Sequence, residues 1–204
     1  MVSVIHIPRD AEKLEQRLKG TDMFTSMDEL EKGLSDIKSS PKEVGTVELI
    51  VRRPETGERE VLAHAELDST HGLVGDNWLT RSDGKGRRAT ANPDMQINLM
   101  NSRSISVIAQ TRDRWPLAGD QFYVDLDLSA ENLPAGTVLE IGTARLEVTS
   151  EPHLGCKKFK ERFGKDAVLF VNSDEGKALN LRGINARVTV AGVVKSGDTI
   201  RKVD

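Results

Sequence analysis

At 204 residues the chain is long enough for one substantial core, and 37% apolar and 30% charged residues with 17 glycines describe a turn-rich globular protein. A net charge of −3 and only 4% aromatic residues exclude the broad basic surface and stacking rings of a nucleic-acid binder. No apolar run approaches the roughly 20 residues of a membrane helix, so the expected partner is a small molecule, with neither nucleic acid nor membrane involved.

The opening stretch "MVSVIHIPRDAEKLEQRLKG" has no basic region leading into an apolar core and no small-residue cleavage site, so a cytoplasmic location is expected. Residues from about 10 to 40 read as helical. Ser26 and Glu29 form an S-x-x-E capping box, followed by Met27, Leu30, Leu34 and Ile37 at helical spacing, and the segment closes at "SSPK". The expected arrangement is a helical hairpin whose apolar stripe covers the main domain.

After Pro41 the period changes to two. Val47, Leu49 and Val51 alternate before "RPETGERE", then Val61, Ala63, Ala65 and Leu67, which predicts a β-hairpin. Further alternating runs are "MQINLMN", "SISVIA", "VLEIGTARLEVT", "ARVTVAGVV" and "DTIRKV", while "CKKFKERFG" and "VNSDEGKALNLRG" read as short helices. The fold class is therefore mainly β (α+β), a closed barrel or a sandwich with a few short helices.

Gly84, Gly86 and Ala89 in "DGKGRRATANP" match G-x-G-x-x-A, but no clear strand precedes them and Pro93 cuts off the following helix. A surface loop is expected, from which Arg87 and Arg88 can reach an anion. His6, His64, His71 and His153 are scattered, and only His153 and Cys156 have ligand-like spacing, so structural zinc is not expected. The G-x-S-x-G and H-E-x-x-H signatures are missing.

Cys156 is the single cysteine, which rules out an intramolecular disulfide and keeps a thiol available. Gly155 precedes it, and Lys157, Lys158, Lys160 and Arg162 follow within two turns. At a helix start, unpaired backbone donors and neighbouring cations favour the thiolate, the reactive and metal-binding form. A buried cysteine with lysines fanned into water fits the same residues.

The order "PHLGCKKFKERFGKDAVLFVN", "LNLRGINARV", "GVVKSGDTIR" resembles the carboxy-terminal part of MOSC domain proteins, named for the last domain of molybdenum cofactor sulfurase. Upstream, "GLVGDNW", "MQINLMNSRSISVIA" and "PLAGDQFYVDLDLSAENLPAGTVLEIG" are similar to preceding family strands, which divides the chain into a helical extension, 1–44, and a MOSC domain, 45–204. The resemblance implies a β-barrel-like fold and a cysteine, here Cys156, that ligates molybdenum in molybdenum cofactor (molybdopterin) or carries sulfur as a persulfide. It suggests Asn101, Arg103, His153, Lys157, Arg162, Arg182, Asn185 and Arg187 as cofactor-binding residues. Pro152 stands four residues before Cys156 with His-Leu-Gly between, and His71 lacks the glycine pair that follows it in several relatives. The ligand role implies a small oxidoreductase acting on N-hydroxylated compounds with a separate electron donor, and the carrier role implies a desulfurase partner. A non-catalytic escort of the cofactor, or a barrel with a structural cysteine, are the alternatives. The pyridoxal-phosphate domain of full-length sulfurases is too large for this chain, so that cofactor is not expected.

Overall fold

The computed structural model describes residues 3–6, 24–80 and 91–203. Its strands are β1 (Ser3–His6), β2 (Val44–Arg52), β3 (Glu58–Leu62), β4 (His64–Asp68), β5 (Gly72–Leu73), β6 (Ile97–Asn101), β7 (Phe122–Asp125), β8 (Val138–Ile141), β9 (Ala144–Val148), β10 (Ile184–Val190), β11 (Gly192–Lys195) and β12 (Thr199–Val203). The helices are α1 (Met27–Lys32), α2 (Leu34–Lys38), α3 (Ser102–Ala109), α4 (Lys157–Asn172) and α5 (Asp174–Ala178). The loop carrying Gly84, Gly86, Arg87, Arg88 and Ala89 lies outside the described residues, as does the stretch 10–23 read as helical.

Seven strands close into a barrel in the order β2-β12-β8-β9-β10-β6-β7, with β7 pairing back onto β2. All ring neighbours are antiparallel except β6 and β7, which run parallel and need a crossover between them. Along one edge β2 serves two partners, β12 through Val44–Thr46 and β3 through Ile50–Arg52, and β1 extends β3 outward. A bulge between Val47 and Leu49 resets the alternation, so Val47 and Ile50 enter the barrel core while Leu49 and Val51 face the helices. The expectation that Val47, Leu49 and Val51 share one face is thereby corrected. The run after the turn is also divided, with β3 adding to β2 outside the closed ring and β4 joining a small sheet with β5 and β11.

Two apolar clusters result. Leu67, Leu99, Phe122, Val124, Leu139, Leu146 and Val188 are among those filling the barrel, whereas Leu30, Ile37, Met100, Ile105, Tyr123, Phe159 and Phe163 pack between its outer wall and the helices. "SISVIA" belongs to the second cluster as a helix, not a strand. Asn101 caps it by accepting from the Ser104 amide, and Ile105, Ile108 and Ala109 fall on one buried helical face. The capping box at Ser26 is present, its amide donating to Glu29 Oε2 at 2.9 Å. Thr25 Oγ1 ties this region to α3 through the carbonyls of Val107 and Ile108. Helix α4 breaks at Gly164, where φ is 88° and a Cβ would lie 2.8 Å from the Phe24 ring. Among the described residues no helix is long and apolar enough to cross a membrane.

Candidate functional site

The crossover from β6 to β7 runs through α3 and a 3-10 helix, Arg112–Ala118, and ends in a left-handed Gly119 with φ 92°. Asp120 follows, fully buried. Its two oxygens accept from Arg182 Nη1 and His153 Nε2, each at 2.7 Å. Burial pushes the Asp120 pKa up, but Arg182 and His153 outweigh it and hold the carboxyl at about 2. Burial and then Arg182 pull His153 below its ordinary value, against the attraction of Asp120. A neutral imidazole facing a carboxylate places its proton on Nε2 and leaves Nδ1 as an acceptor. Arg182 also donates to the Ala118 carbonyl, lies 4.9 Å from the Phe159 ring centroid, and keeps a buried Nε with no partner among the described residues.

Three more arginines converge on Gly119. Arg53, buried at the end of β2, grips Asp76 through Nε and Nη2 and donates through Nη1 to Asn98 Oδ1 and the Gly119 carbonyl. Arg59, in β3 and only 7% exposed, spends Nε on the Pro116 carbonyl and Nη1 on the Glu58 carbonyl, leaving Nη2 without a hydrogen bond among the described residues. Arg162, on α4, donates Nη1 to the Leu117 carbonyl at 2.6 Å. A Cβ on Gly119 would lie 3.3 Å from Arg59 Nη2 and 3.9 Å from Arg162 Nη1, so both guanidinium groups meet over a residue that has no side chain to block them. Burial first, then Arg162 and Arg53, push Arg59 down to about 10. Among the described residues the four arginines have two carboxylates, Asp76 and Asp120, and Arg59 and Arg162 pair with neither.

Cys156 stands at the edge of this cluster as the residue preceding α4, with extended backbone and an exposed side chain. The Asn172 amide clamps Gly155, accepting from its N–H at 2.9 Å and donating to its carbonyl at 3.0 Å. Burial lowers the Arg162 pKa, and Cys156 is the strongest neighbour acting in the opposite direction. On the far side of His153 lies a cleft of about 240 Å³, bounded by the loop 130–135, the segment 148–153 and the start of β10.

The MOSC domain family matches residues 86–201, more than half of the sequence. The chain belongs to the MOSC domain family. Among solved structures, the YuaD protein from Bacillus subtilis superposes with a TM-score of 0.53 at 19% identity, covering 77% of this chain and 94% of that one. YiiM from Escherichia coli gives 0.49 at 20%, covering 78% and 70%. At 19% identity the likeness to YuaD concerns fold alone. No curated protein matches the sequence.

Within this MOSC fold, His153, Arg162 and Arg182 gather around Asp120 and Gly119, and Cys156 stands near Arg162. Asn185 joins from behind, accepting from Asn98 and donating to the Glu151 carbonyl. Other sequence candidates lie apart from the cluster. Asn101 binds Ser40 Oγ and the Leu126 carbonyl, Arg103 ties Asp125 to Asp36 and Ser39, and Arg187 pairs with Asp94 and Glu147 on the surface. Lys157 is 90% exposed with Glu161 at 3.9 Å, and Lys158 and Lys160 are exposed too. His71 caps its own turn through Asp68. The residues that sequence reasoning passed over are Asp120, Arg53 and Arg59. Asp120 sits in the quoted "PLAGDQFYV", where an acid directly after a turn glycine was the available signal; the arginines of "VRRPETGERE" look like any solvated turn.

Proposed function

We propose that this MOSC chain binds a molybdenum–pterin cofactor, with Cys156 as the sulfur ligand of the metal. The observation that carries the reading is the pair of inward cations, Arg59 and Arg162, without carboxylate partners among the described residues, beside an exposed thiol. Leaving two guanidinium groups uncompensated in a largely buried site is costly for a structural role and suits an anionic ligand. Arg59 Nη2, which has no hydrogen bond among the described residues, the Arg162 fork and the Nε of Arg182, unpartnered among the described residues, are donors fitted to phosphate oxygens. A thiolate is a soft ligand suited to a thiophilic metal.

When bound, the cofactor would supply two-electron redox chemistry at molybdenum. The chain's own residues have simpler tasks. Arg59 and Arg162 orient the anionic group, Asp120 fixes the His153 tautomer, and the Asn172 clamp on Gly155 sets the backbone that presents Cys156. Reduction of N-hydroxylated compounds, with electrons from a separate protein, is the activity to screen. A second reading, transfer of sulfur through a Cys156 persulfide, is favoured by the exposure of the sulfur.

The test is molybdenum content by elemental mass spectrometry, on wild type and Cys156→Ala purified from a host that makes the cofactor. Near-stoichiometric metal in wild type and its loss in the variant is the expected result. No metal in wild type would overturn the ligand reading, and a persulfide on Cys156 would then establish the carrier.

A further inference from the structure

The outer face of α4 carries a charge opposite to that of the whole molecule. The chain is −3 overall, yet the exposed charged residues of this helix are Lys157, Lys158, Lys160 and Lys165 against Glu161 alone. Lys157 leans towards Glu161, whereas Lys158, Lys160 and Lys165 enter no ion pair among the described residues. The remaining acid of the helix, Asp166, accepts from the Met27 amide. On the inner side Arg59 and Arg162 add two cations without carboxylate partners among the described residues, and Arg114 lies over the Phe163 ring and donates to the Arg162 carbonyl. Two large apolar side chains stand out in this basic field. Leu154 is 47% exposed and lies two residues before the thiol; Leu169 is 50% exposed and lies one turn before Asn172, which clamps Gly155.

Cations around an apolar centre suit an acidic protein, because complementary charge steers the encounter and desolvated apolar side chains hold it. An anionic membrane surface fits less well. A helix lying in a bilayer interface gives a broad apolar face to the lipid, and α4 has already given Phe159, Phe163, Ala167, Phe170 and Val171 to the core. A permanent subunit also needs a wide apolar interface, whereas electron-carrying encounters are small. Resting on the cofactor reading above, we infer that Lys158, Lys160, Lys165, Leu154 and Leu169 form the docking face for a small acidic one-electron carrier protein, seated beside Cys156. Each docking passes one electron and leaves the carrier oxidised by one. Two dockings, with two protons from solvent, convert R–NHOH to R–NH2 and water.

The probe is oxidised flavodoxin, an acidic carrier, with cytochrome c as a basic carrier for comparison, each titrated into the isotope-labelled chain and followed by NMR. Flavodoxin should bind saturably and move the amides at 154–165 and 169. Its affinity should fall about tenfold or more as the screening length shortens from roughly 30 Å at 0.01 M salt to about 10 Å at 0.1 M. Combining Lys158→Glu, Lys160→Glu and Lys165→Glu should weaken binding at least about tenfold with little change in melting temperature, since these side chains are exposed and unpaired among the described residues. Lys195→Glu, on β11, should change neither. No saturable binding of flavodoxin, equal binding of cytochrome c, shifts centred away from α4, or affinity that survives the triple reversal would each overturn the assignment. Binding of phosphatidylserine vesicles with none of flavodoxin would overturn it in favour of a membrane surface. Molybdenum held through Cys156 without docking would sink this inference alone; docking by a chain that holds no molybdenum would sink the cofactor reading and leave the face standing.

Discussion

Replacing Asp120 by Asn removes the one charge that holds two partners at the centre of the site. In the fold the carboxyl lies at about 2 against an ordinary 3.8, which corresponds to roughly 2–3 kcal/mol at about 1.4 kcal/mol per pH unit. The variant also leaves Arg182 buried without its counter-charge, and breaking such a pair from one side costs about 3–5 kcal/mol. A loss of about 3 kcal/mol is therefore expected. Urea unfolding at pH 7 measures it directly: with m near 2 kcal/mol/M, the midpoint should fall by about 1.5 M while m stays constant. Arg182→Met alone should cost a similar amount, and the double variant should cost clearly less than the sum, because the two changes remove one interaction. A loss below about 0.5 kcal/mol for Asp120→Asn, or strict additivity, would refute the argument that Asp120 is stabilised chiefly by Arg182 and His153.

The same groups set the acid limb of stability. His153 sits below its ordinary 6.5 in the fold, so the unfolded chain binds that proton more tightly and stability falls as pH drops below 6.5. Asp120 contributes fully above 3.8 and loses its contribution as pH falls towards 2. Urea midpoints measured from pH 7.5 to 5 should decline in wild type and flatten in His153→Gln. Arg59→Met should cost less than about 1 kcal/mol, because it removes a buried cation repelled by Arg162 and Arg53. Phosphate at about ten times its Kd should raise the wild-type melting temperature by roughly 3–6 °C over chloride of equal ionic strength, and should leave Arg59→Met unmoved. Gly155→Ala would put a Cβ 2.9 Å from Val171 and 3.3 Å from Asn172; a loss of about 1–3 kcal/mol is expected in thermal unfolding, with an altered alkylation rate at Cys156.

How much of this was legible in the sequence depended on how local each signal is. The strands β6, β8, β9 and β12 and the capping box at Ser26 follow from alternation and spacing within a few residues. "SISVIA" misled because six apolar and small residues fit either period, and only the Asn101 cap and the outer surface of the barrel decide for a helix. The face of Leu49 was hidden by a bulge that exists only when β7 is in place. Cys156 and Arg182 stood out through their motif, yet what gathers around them was not visible. Arg53 and Arg59 reach Gly119 across more than 55 residues of sequence, and no periodicity records a contact at that range. Lys157 looked closest to the sulfur in sequence, but the helix turns it into water, whereas Arg162, five residues further on, is directed inward.

The strand β2 pairs with β12, β3 and β7, and so joins residues 44–52 to the end of the chain as well as to its middle. The site residues at 53, 59, 120 and 182 come from segments that meet when β2 pairs with β7, beside β6 and β10. A folding chain without that pairing therefore has strands and helices but nowhere for a ligand to sit, and the long-range step that closes β2 onto β7 is also the step that creates affinity. Any ligand held by these arginines consequently resists reopening of the β2–β7 seam, and slowed amide exchange along β2 and β7 would report its arrival.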